Sequence, residues 1–124
     1  MPNITIEYTA NIAEAVEANQ LASKLHLAAH ELGCFPSNGI RTFARSHDQY
    51  LVGHCRGSEA FIQIQVHIAP GRSRELLSQI MNTLFKAAVN AMAEQTVKRE
   101  LGIQLEVTEF SSALTRSHNT ISTD

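Results

Sequence analysis

Alternating apolar and polar residues predict four strands in this chain. The pattern is clearest from Ala60 to Ile68, where isoleucine or valine at every second position alternates with glutamine or histidine. Shorter alternations predict strands at Asn3–Tyr8 and Ile103–Phe110, and a fourth strand is predicted at Ile40–Arg45 after the loop 35–39. A further short strand is expected at Gln49–Val52. The main strands each have one apolar and one polar side, so we expect them to be half buried.

Apolar residues three and four positions apart predict two helices. The first follows Asn11, which resembles a helix cap with a glutamate three residues later, and runs to Leu32, where Gly33 is a good terminator. The second is expected to be capped by Ser73 and to run over Arg74–Glu100. Their predicted buried stripes are Leu21, Leu25, Ala28, Ala29 and Leu32 in the first helix, and Leu77, Ile80, Met81, Leu84, Phe85, Ala88 and Met92 in the second.

The order of these elements predicts the architecture. It is β-α-β-β followed by β-α-β, which gives two similar halves, about 2–58 and 59–124. Strands that flank a helix should be parallel and joined by right-handed crossovers. We therefore predict an α/β (α+β) fold in a single domain, 1–124, with a mainly parallel four-stranded sheet, two helices on one face and short extra strands. Residues 111–124 are polar and weakly patterned, and we interpret them as a C-terminal arm or tail.

Two helices can cover only one face of such a sheet. A parallel sheet usually needs cover on both sides, so we expect the uncovered face to meet other subunits around a hydrated axis. The alternative is an α+β monomer with one solvated face. The side chains assigned to this open face are Thr5, Glu7, Gln63, Gln65, His67, Gln104, Glu106 and Thr108.

Composition restricts the partners and the compartment. A chain of 124 residues with 44% hydrophobic and 18% charged residues is large and apolar enough to bury a core. The net charge of −2 and the absence of a long basic stretch give no electrostatic case for nucleic acid or an anionic membrane. No apolar stretch approaches the ~18 residues of a membrane span. Two isolated cysteines favour a reducing compartment, so we interpret the protein as cytoplasmic.

The first residues offer a candidate base. If Met1 is removed, Pro2 carries a free secondary amine at the head of a strand. Burial disfavours the protonated form of such an amine and makes it a better general base. With Met1 attached, the same nitrogen is a tertiary amide without useful basicity. The alternative is that Pro2 merely begins an edge strand, where a missing N–H costs nothing.

Histidines and cysteines suggest two other chemistries. His26 and His30 are one helical turn apart and Cys34 follows four residues later, a spacing that could hold a metal ion. We predict no metal site, because the helix is expected to end before Cys34. His54 beside Cys55 could place a base next to a nucleophile, but neighbours in a turn rarely point at one another and no third group is apparent.

A family resemblance connects these features. It extends over nearly the whole chain as far as the second helix, and the combination of its motifs is specific. The motifs that carry it are Met1-Pro2 at the head of a strand, Glu7, Asn11-Ile12, Phe35-Pro36, Gly39-Ile40-Arg41 and Gly71-Arg72-Ser73. Through these motifs the chain resembles the 5-carboxymethyl-2-hydroxymuconate isomerase family of the tautomerase superfamily.

The resemblance implies a homotrimer of subunits with two β-α-β units each and no metal or organic cofactor. It also implies a proton shift that converts a dienol to its keto isomer, with Pro2 as the proton carrier. Arg41 and Arg72 would hold a small-molecule carboxylate substrate, because planar guanidinium groups bind carboxylates through two hydrogen bonds and stay charged. The alternative for each arginine is a solvated charge or a structural pair with Glu7 or Glu106.

The chain departs from the family pattern at several points. His67 stands where another basic residue is expected, Pro70 alters the approach to Arg72, and residues 42–57 match poorly. These departures leave the exact substrate open. A tautomerase-fold protein without catalysis, which binds a small ligand or acts by association, is the second hypothesis.

Overall fold

One four-stranded sheet organises the computed structural model, which describes residues 2–123. Its strands are β1 (Asn3–Thr9), β2 (Arg41–His47), β3 (Ala60–Ile68) and β4 (Leu101–Glu109). Their spatial order is β2-β1-β3-β4. The β1–β2 and β3–β4 pairs are parallel, and the central β1–β3 pair is antiparallel. The mainly parallel sheet predicted from the sequence is confirmed.

Both predicted helices form, but each is divided. The first is interrupted at Gln20, whose left-handed φ of 53° cannot continue a right-handed helix, and Gly33 follows its end with a φ of 71°. The second is interrupted at Met92. No helix within residues 2–123 is long and apolar enough to cross a membrane. The helices are α1 (Ala13–Ala18), α2 (Leu21–Glu31), α3 (Arg74–Ala91) and α4 (Ala93–Lys98), with single 3-10 turns at Ala10–Ile12 and Ser112–Leu114.

Of the two predicted helix caps, one forms and the other does not. Ser73 caps α3 as expected, since its Oγ accepts a hydrogen bond of 3.1 Å from the backbone N–H three residues later. The prediction for Asn11 is wrong, because its side chain turns away from the helix. Its Nδ2 donates to the carbonyls of Gly57 (3.3 Å) and Glu59 (3.0 Å), and its Oδ1 accepts from Thr9 Oγ1 (2.6 Å). Asn11 therefore fastens the end of β1 to the loop before β3.

The core lies between the sheet and helices α2 and α3. Removal of these aliphatic side chains from water is the main favourable term for the fold. Two residues of the predicted α3 stripe, Met81 and Phe85, remain 40% and 39% exposed, so the buried stripe is narrower than predicted. The fully buried residues include Ile4, Ile6, Ile62, Ile64, Val66 and Ile68 from the strands and Leu21, Leu25, Ile80 and Leu84 from the helices.

The face of the sheet away from the helices is open, as predicted. Along β3, Gln65 and His67 are exposed while their neighbours Ile64 and Val66 are buried. Phe43, which lies opposite Thr5, adds an apolar side chain to this face with 59% of its surface exposed. Phe61 on β3, which shares the parity of Gln65 and His67, is a second aromatic residue on this face. The open face is therefore polar with two large aromatic residues.

The expected extra strand at Gln49–Val52 is wrong. These residues lie in an irregular segment that joins no ladder, and Leu51 is 85% exposed. The chain then turns sharply, since Gly53 and Cys55 both have a positive φ, 55° and 59°. A short apolar run forms a strand only where a neighbouring strand supplies hydrogen-bond partners.

Glu59 holds the turn that precedes β3. Its carboxylate accepts hydrogen bonds from the backbone N–H groups of Arg56 (3.1 Å) and His54 (3.1 Å), and the His54 ring nitrogen Nδ1 lies 3.3 Å away. The turn also requires Gly53, because a Cβ there would lie 2.6 Å from Glu59 Oε2. The N–H bond from Arg56, followed by that from His54, lowers the pKa of the Glu59 carboxyl.

This lowered pKa predicts how acid weakens the fold. A carboxyl whose pKa is lower in the folded than in the unfolded state stabilises the fold above the unfolded pKa, about 4.3 for glutamate, and loses that contribution as the pH falls through the folded pKa. We expect Glu59→Gln to be less stable than wild type at pH 7 and to lose less stability between pH 6 and pH 3. Urea unfolding at several pH values measures this. Glu31→Gln, at an exposed position on α2, is the control. Identical pH dependence in wild type and Glu59→Gln would contradict the prediction.

Candidate active site

Pro2 is buried immediately before β1. The hydrogen-bond ladder between β1 and β2 extends to it. Its carbonyl accepts a hydrogen bond of 3.0 Å from the backbone N–H of Arg41. The next residue, Asn3, lies opposite Arg41 on one side and His67 on the other. Pro2 is therefore fixed at the edge where β1 and β2 begin and β3 and β4 end. Removal of Met1 concerns a residue outside those that the structure describes.

Arg41 lies close to Pro2 along the backbone, but its side chain belongs to the open face. Its Nε donates a hydrogen bond of 2.6 Å to Asn3 Oδ1, and the residue is exposed. Successive side chains of a strand point to opposite faces, so Pro2 shares the helix-covered face with Ile4. One protomer thus brings the backbones of Pro2 and Arg41 together and sends their side chains to opposite faces of the sheet.

Arg72 is held by the backbone at the same end of the sheet. Its two terminal nitrogens donate to the carbonyls of Ala69 (2.9 Å) and Cys34 (3.2 Å), and its Cζ lies 5.0 Å from the centre of the Phe35 ring. Continuing the β1–β3 ladder by one residue places Pro2 opposite Ile68, immediately before Ala69. A guanidinium has five N–H groups, so a fork that is already oriented retains donors for a carboxylate.

The loop of residues 34–41 contacts Arg72 and Pro2 and ends at Arg41, and we call it the bridging loop. At its start, Cys34 and Phe35 hold the Arg72 guanidinium. At its end, the Arg41 N–H binds the Pro2 carbonyl. The sequence motifs drew attention to Phe35 and Arg41, but a contact made by a backbone carbonyl, such as that of Cys34, has no side-chain signal.

A polar row crosses the open face beside Pro2. Asn3 lies between Arg41 on β2 and His67 on β3, and His67 lies beside Thr108 on β4. His67 Nδ1 is 2.7 Å from Thr108 Oγ1, and its ring is 5.7 Å from the ring of Phe110. Asn3 and Thr108 were not predicted to be site residues; the sheet register brings them there.

Glu7, which was considered as a structural partner of Arg41 or Arg72, pairs with other residues in the structure. Glu7 Oε1 accepts from His47 Nε2 (2.8 Å) and from an Arg45 terminal nitrogen (3.2 Å). These two hydrogen bonds, chiefly that from His47, lower the pKa of the Glu7 carboxyl. The cluster lies at the far end of β1 from Pro2, so Glu7 is engaged away from Arg41 and Arg72.

The histidines and cysteines considered as metal ligands or as a catalytic pair do not come together in the structure. His26 Nδ1 lies 2.7 Å from Thr42 Oγ1 and the His26 and His30 rings are 5.0 Å apart, whereas Cys34 lies beyond the helix end. Within residues 2–123, no group of three or more His, Cys, Asp and Glu side chains could hold a metal ion. The ring of His54 is directed towards Glu59 and not towards Cys55. The two neighbours therefore do not form a pair of base and nucleophile.

The protomer has five surface grooves with volumes from about 240 to about 410 Å³. Pro2, Arg41 and Arg72 line none of the five. The residues selected from the sequence thus meet at an edge of the sheet, outside these concave surfaces.

Solved structures define the class of protein. The fold is similar to that of a 5-carboxymethyl-2-hydroxymuconate isomerase from Deinococcus radiodurans R1, with a TM-score of 0.89 and 30% identity over 96% of this chain and 90% of that one. A 5-carboxymethyl-2-hydroxymuconate delta-isomerase gives a TM-score of 0.87 and 18% identity over 96% and 89%. A fused 4-OT, a symmetric trimer, gives 0.67 and 14% over 88% and 87%. The fold is therefore that of the tautomerase superfamily.

The family assignment rests on sequence as well as on fold. The profile of the 5-carboxymethyl-2-hydroxymuconate isomerase family matches residues 2–124. The chain belongs to this family, and it is an isomerase. No curated protein matches the chain. The family resemblance inferred from the Pro2, Arg41 and Arg72 motifs is confirmed.

The contacts of Arg72 predict that it restrains Cys34. We expect Arg72→Ala to free the start of the bridging loop and to raise the rate of Cys34 alkylation about 3- to 10-fold, because two hydrogen bonds to carbonyls are lost. Mass spectrometry of labelled peptides measures the rate, with the exposed Cys55 as an internal reference. Arg74→Ala, at an exposed position at the start of α3, is the matched control. An unchanged Cys34 rate in Arg72→Ala would show that these contacts do not hold the loop.

Proposed function

We propose that this isomerase transfers a proton through the imino nitrogen of Pro2 on a 2-hydroxymuconate-type dienol that carries two or three carboxylates. The expected substrate is 5-carboxymethyl-2-hydroxymuconate, and the reaction uses no metal or organic cofactor. The observation that carries the proposal is the bridging loop, which contacts Arg72 at one end and Pro2 at the other.

The proton shift is balanced without an oxidant or a reductant. The free nitrogen of Pro2 takes the proton of the enol hydroxyl, the O–H electron pair forms the ketone C=O, and the displaced π electrons move along the conjugated system. The same nitrogen then delivers the proton to carbon, where a C–H bond forms. Positioning of the substrate and stabilisation of negative charge on oxygen supply most of the acceleration.

Arg72 is suited to hold one carboxylate of the substrate beside Pro2 of the same protomer. Its guanidinium is oriented by the Ala69 and Cys34 carbonyls and by the Phe35 ring. An oriented fork loses less side-chain freedom when it binds a carboxylate than a flexible one does. The backbone contacts of Arg72 therefore support a role in binding and do not compete with it.

Arg41 fits a site that two protomers share. Its guanidinium lies on the open face, whereas Pro2 lies on the helix-covered face. We infer that the protein is a homotrimer whose open faces meet, so that Arg41 of one subunit reaches the Pro2 site of a neighbour. The polar open face supports this arrangement, and so does the fused 4-OT of the same fold, which is a symmetric trimer.

The remaining expectations belong to this proposal. We place the single domain in the cytoplasm, where the free thiols of Cys34 and Cys55 fit a reducing environment. We expect the protein to bind a small carboxylate and not to bind nucleic acid.

The first test concerns the nitrogen of Pro2. Intact-mass measurement on protein from its native host should show that Met1 is absent. Ultraviolet assays should show ketonisation of hydroxymuconates, with a preference between substrates bearing and lacking the carboxymethyl group. Pro2→Ala leaves a primary amine and should lower kcat by ~10²–10⁴-fold without abolishing activity. An uncleaved N-terminal extension should abolish it. Retention of Met1 in the native host would favour the second hypothesis, a tautomerase-fold protein without catalysis.

The second test concerns the two arginines. Arg41→Ala and Arg72→Ala should each reduce kcat/KM by an amount equivalent to ~2–5 kcal/mol, because each leaves a desolvated carboxylate without its partner. Arg45→Ala is the matched control, since Arg45 is exposed on the same strand as Arg41 and pairs with Glu7. Unchanged kinetics in both arginine variants would remove them from the site.

Mixed trimers test which subunit supplies each arginine. Refolding Pro2→Ala with an equal amount of Arg41→Ala should restore activity at about a quarter of the sites, because random assembly then pairs an intact Pro2 with a neighbour's intact Arg41. Refolding Pro2→Ala with Arg72→Ala should restore none, because both residues come from one protomer. The reverse pattern would contradict the assignment.

A further inference from the structure

The C-terminal arm, residues 111–123, folds back onto the bridging loop. Asn38 Nδ2 donates to the carbonyl of Ile121 (2.9 Å), and Asn119 Nδ2 donates to the carbonyl of Asn38 (2.9 Å). Asn119 Oδ1 accepts from the N–H of Ile121 (2.8 Å), and Ser37 Oγ donates to the carbonyl of Thr123 (3.2 Å). We call these four hydrogen bonds the clasp.

We propose that the clasp positions the substrate-binding arginines by holding the bridging loop, with Asn38 and Asn119 as positioning residues. This inference rests on the proposed function, because the arginines that the clasp positions are those proposed to bind the carboxylate substrate. The clasp lies at the middle of the bridging loop, between the contacts of Arg72 with Cys34 and of Arg41 with Pro2.

The middle of the bridging loop has few other restraints. Pro36 and Ser37 are exposed, and the described backbone hydrogen bond within the turn runs from the Gly39 N–H to the Pro36 carbonyl (3.0 Å). Ile40, just after the turn, is buried in the core, so apolar burial restrains the end of the bridging loop but contributes little at residues 36–38. The hydrogen bonds from the arm add restraint where the core does not reach.

The arm itself contributes little to the core. Residues 111–123 are all exposed, including the apolar side chains of Leu114 (88%) and Ile121 (64%). Because burial of apolar surface dominates folding, loss of the clasp should leave the sheet and helices folded. Loss of the clasp can therefore change ligand binding through the bridging loop while the stability of the whole domain changes little.

The expected kinetic effect follows from populations. If the loop holds Arg41 and Arg72 correctly in only a fraction of molecules, the apparent dissociation constant rises by the inverse of that fraction. A correctly held complex still reacts at the normal rate. Loss of the clasp should therefore raise KM and leave kcat nearly unchanged.

The test is a set of variants at the clasp. Asn119→Ala removes both side-chain hydrogen bonds of Asn119 and should raise KM about 3- to 10-fold, with kcat within about twofold of wild type. Asn119→Asp keeps the acceptor for the Ile121 N–H and should give an intermediate KM. Ile121→Ala keeps the backbone groups that the clasp uses and should match wild type. Equal KM values across these variants, or a fall in kcat alone, would overturn the proposal.

Amide hydrogen exchange separates this proposal from the proposed function. In Asn119→Ala and Asn38→Ala, the amides of Gly39 and Arg41 should exchange about 3- to 10-fold faster, while amides of the core strand β3 keep their protection. This readout needs no substrate. Faster exchange with no activity in wild type would contradict the proposed function and leave the clasp standing. Unchanged exchange in both variants would overturn the clasp even in an active isomerase.

Discussion

The register of β1 in the centre of the sheet is the constraint on which the site depends. β1 is bonded to β2 on one side and to β3 on the other, and the bond from the Arg41 N–H to the Pro2 carbonyl extends this ladder to the second residue. A slip by one residue would move Ile4 and Ile6 from the core to the open face. Burial of these side chains therefore also fixes the position of Pro2.

The two arginines are held in different ways, and the difference determines the composition of the site. Arg72 is fixed by carbonyls at the end of β3 and at the start of the bridging loop. Arg41 is oriented by Asn3 on the open face, which Pro2 does not share. In the proposed trimer, a protomer prepares Pro2 and Arg72 by its own folding, whereas Arg41 reaches the site from a neighbour. Such a division would couple activity to assembly, because the open face would have to be covered before the proposed site is complete.

Local chemistry predicted the parts of the fold that nearby residues decide. The alternation in β3 and the cap at Ser73 followed from side-chain periodicity and from a hydroxyl beside a free N–H. The role of Asn11 did not, because its side chain bonds to carbonyls that are distant in sequence. The break at Gln20 did not either, because no glycine or proline marks it. An amide side chain before a helix satisfies either the helix end or another loop, and only the tertiary fold selects between them.

The same limit applies to the candidate site. Motifs identified Pro2, Arg41 and Arg72, but the faces on which they lie follow from strand register. The carbonyls that hold Arg72 and the contact between Asn38 and Asn119 join segments that no local pattern connects. The sequence therefore indicated the groups that we propose as the site, and the structure indicated how their orientation is maintained.

The central claim is that Pro2 presents a free nitrogen beside groups that bind carboxylates. Nitrogen-15 NMR of processed protein labelled at proline tests it most directly. We expect one proline nitrogen to resonate as a secondary amine, to titrate with pH, and to shift when a non-reactive dicarboxylate is added. A Pro2 nitrogen that resonates as an amide, does not titrate and ignores the dicarboxylate would contradict the claim.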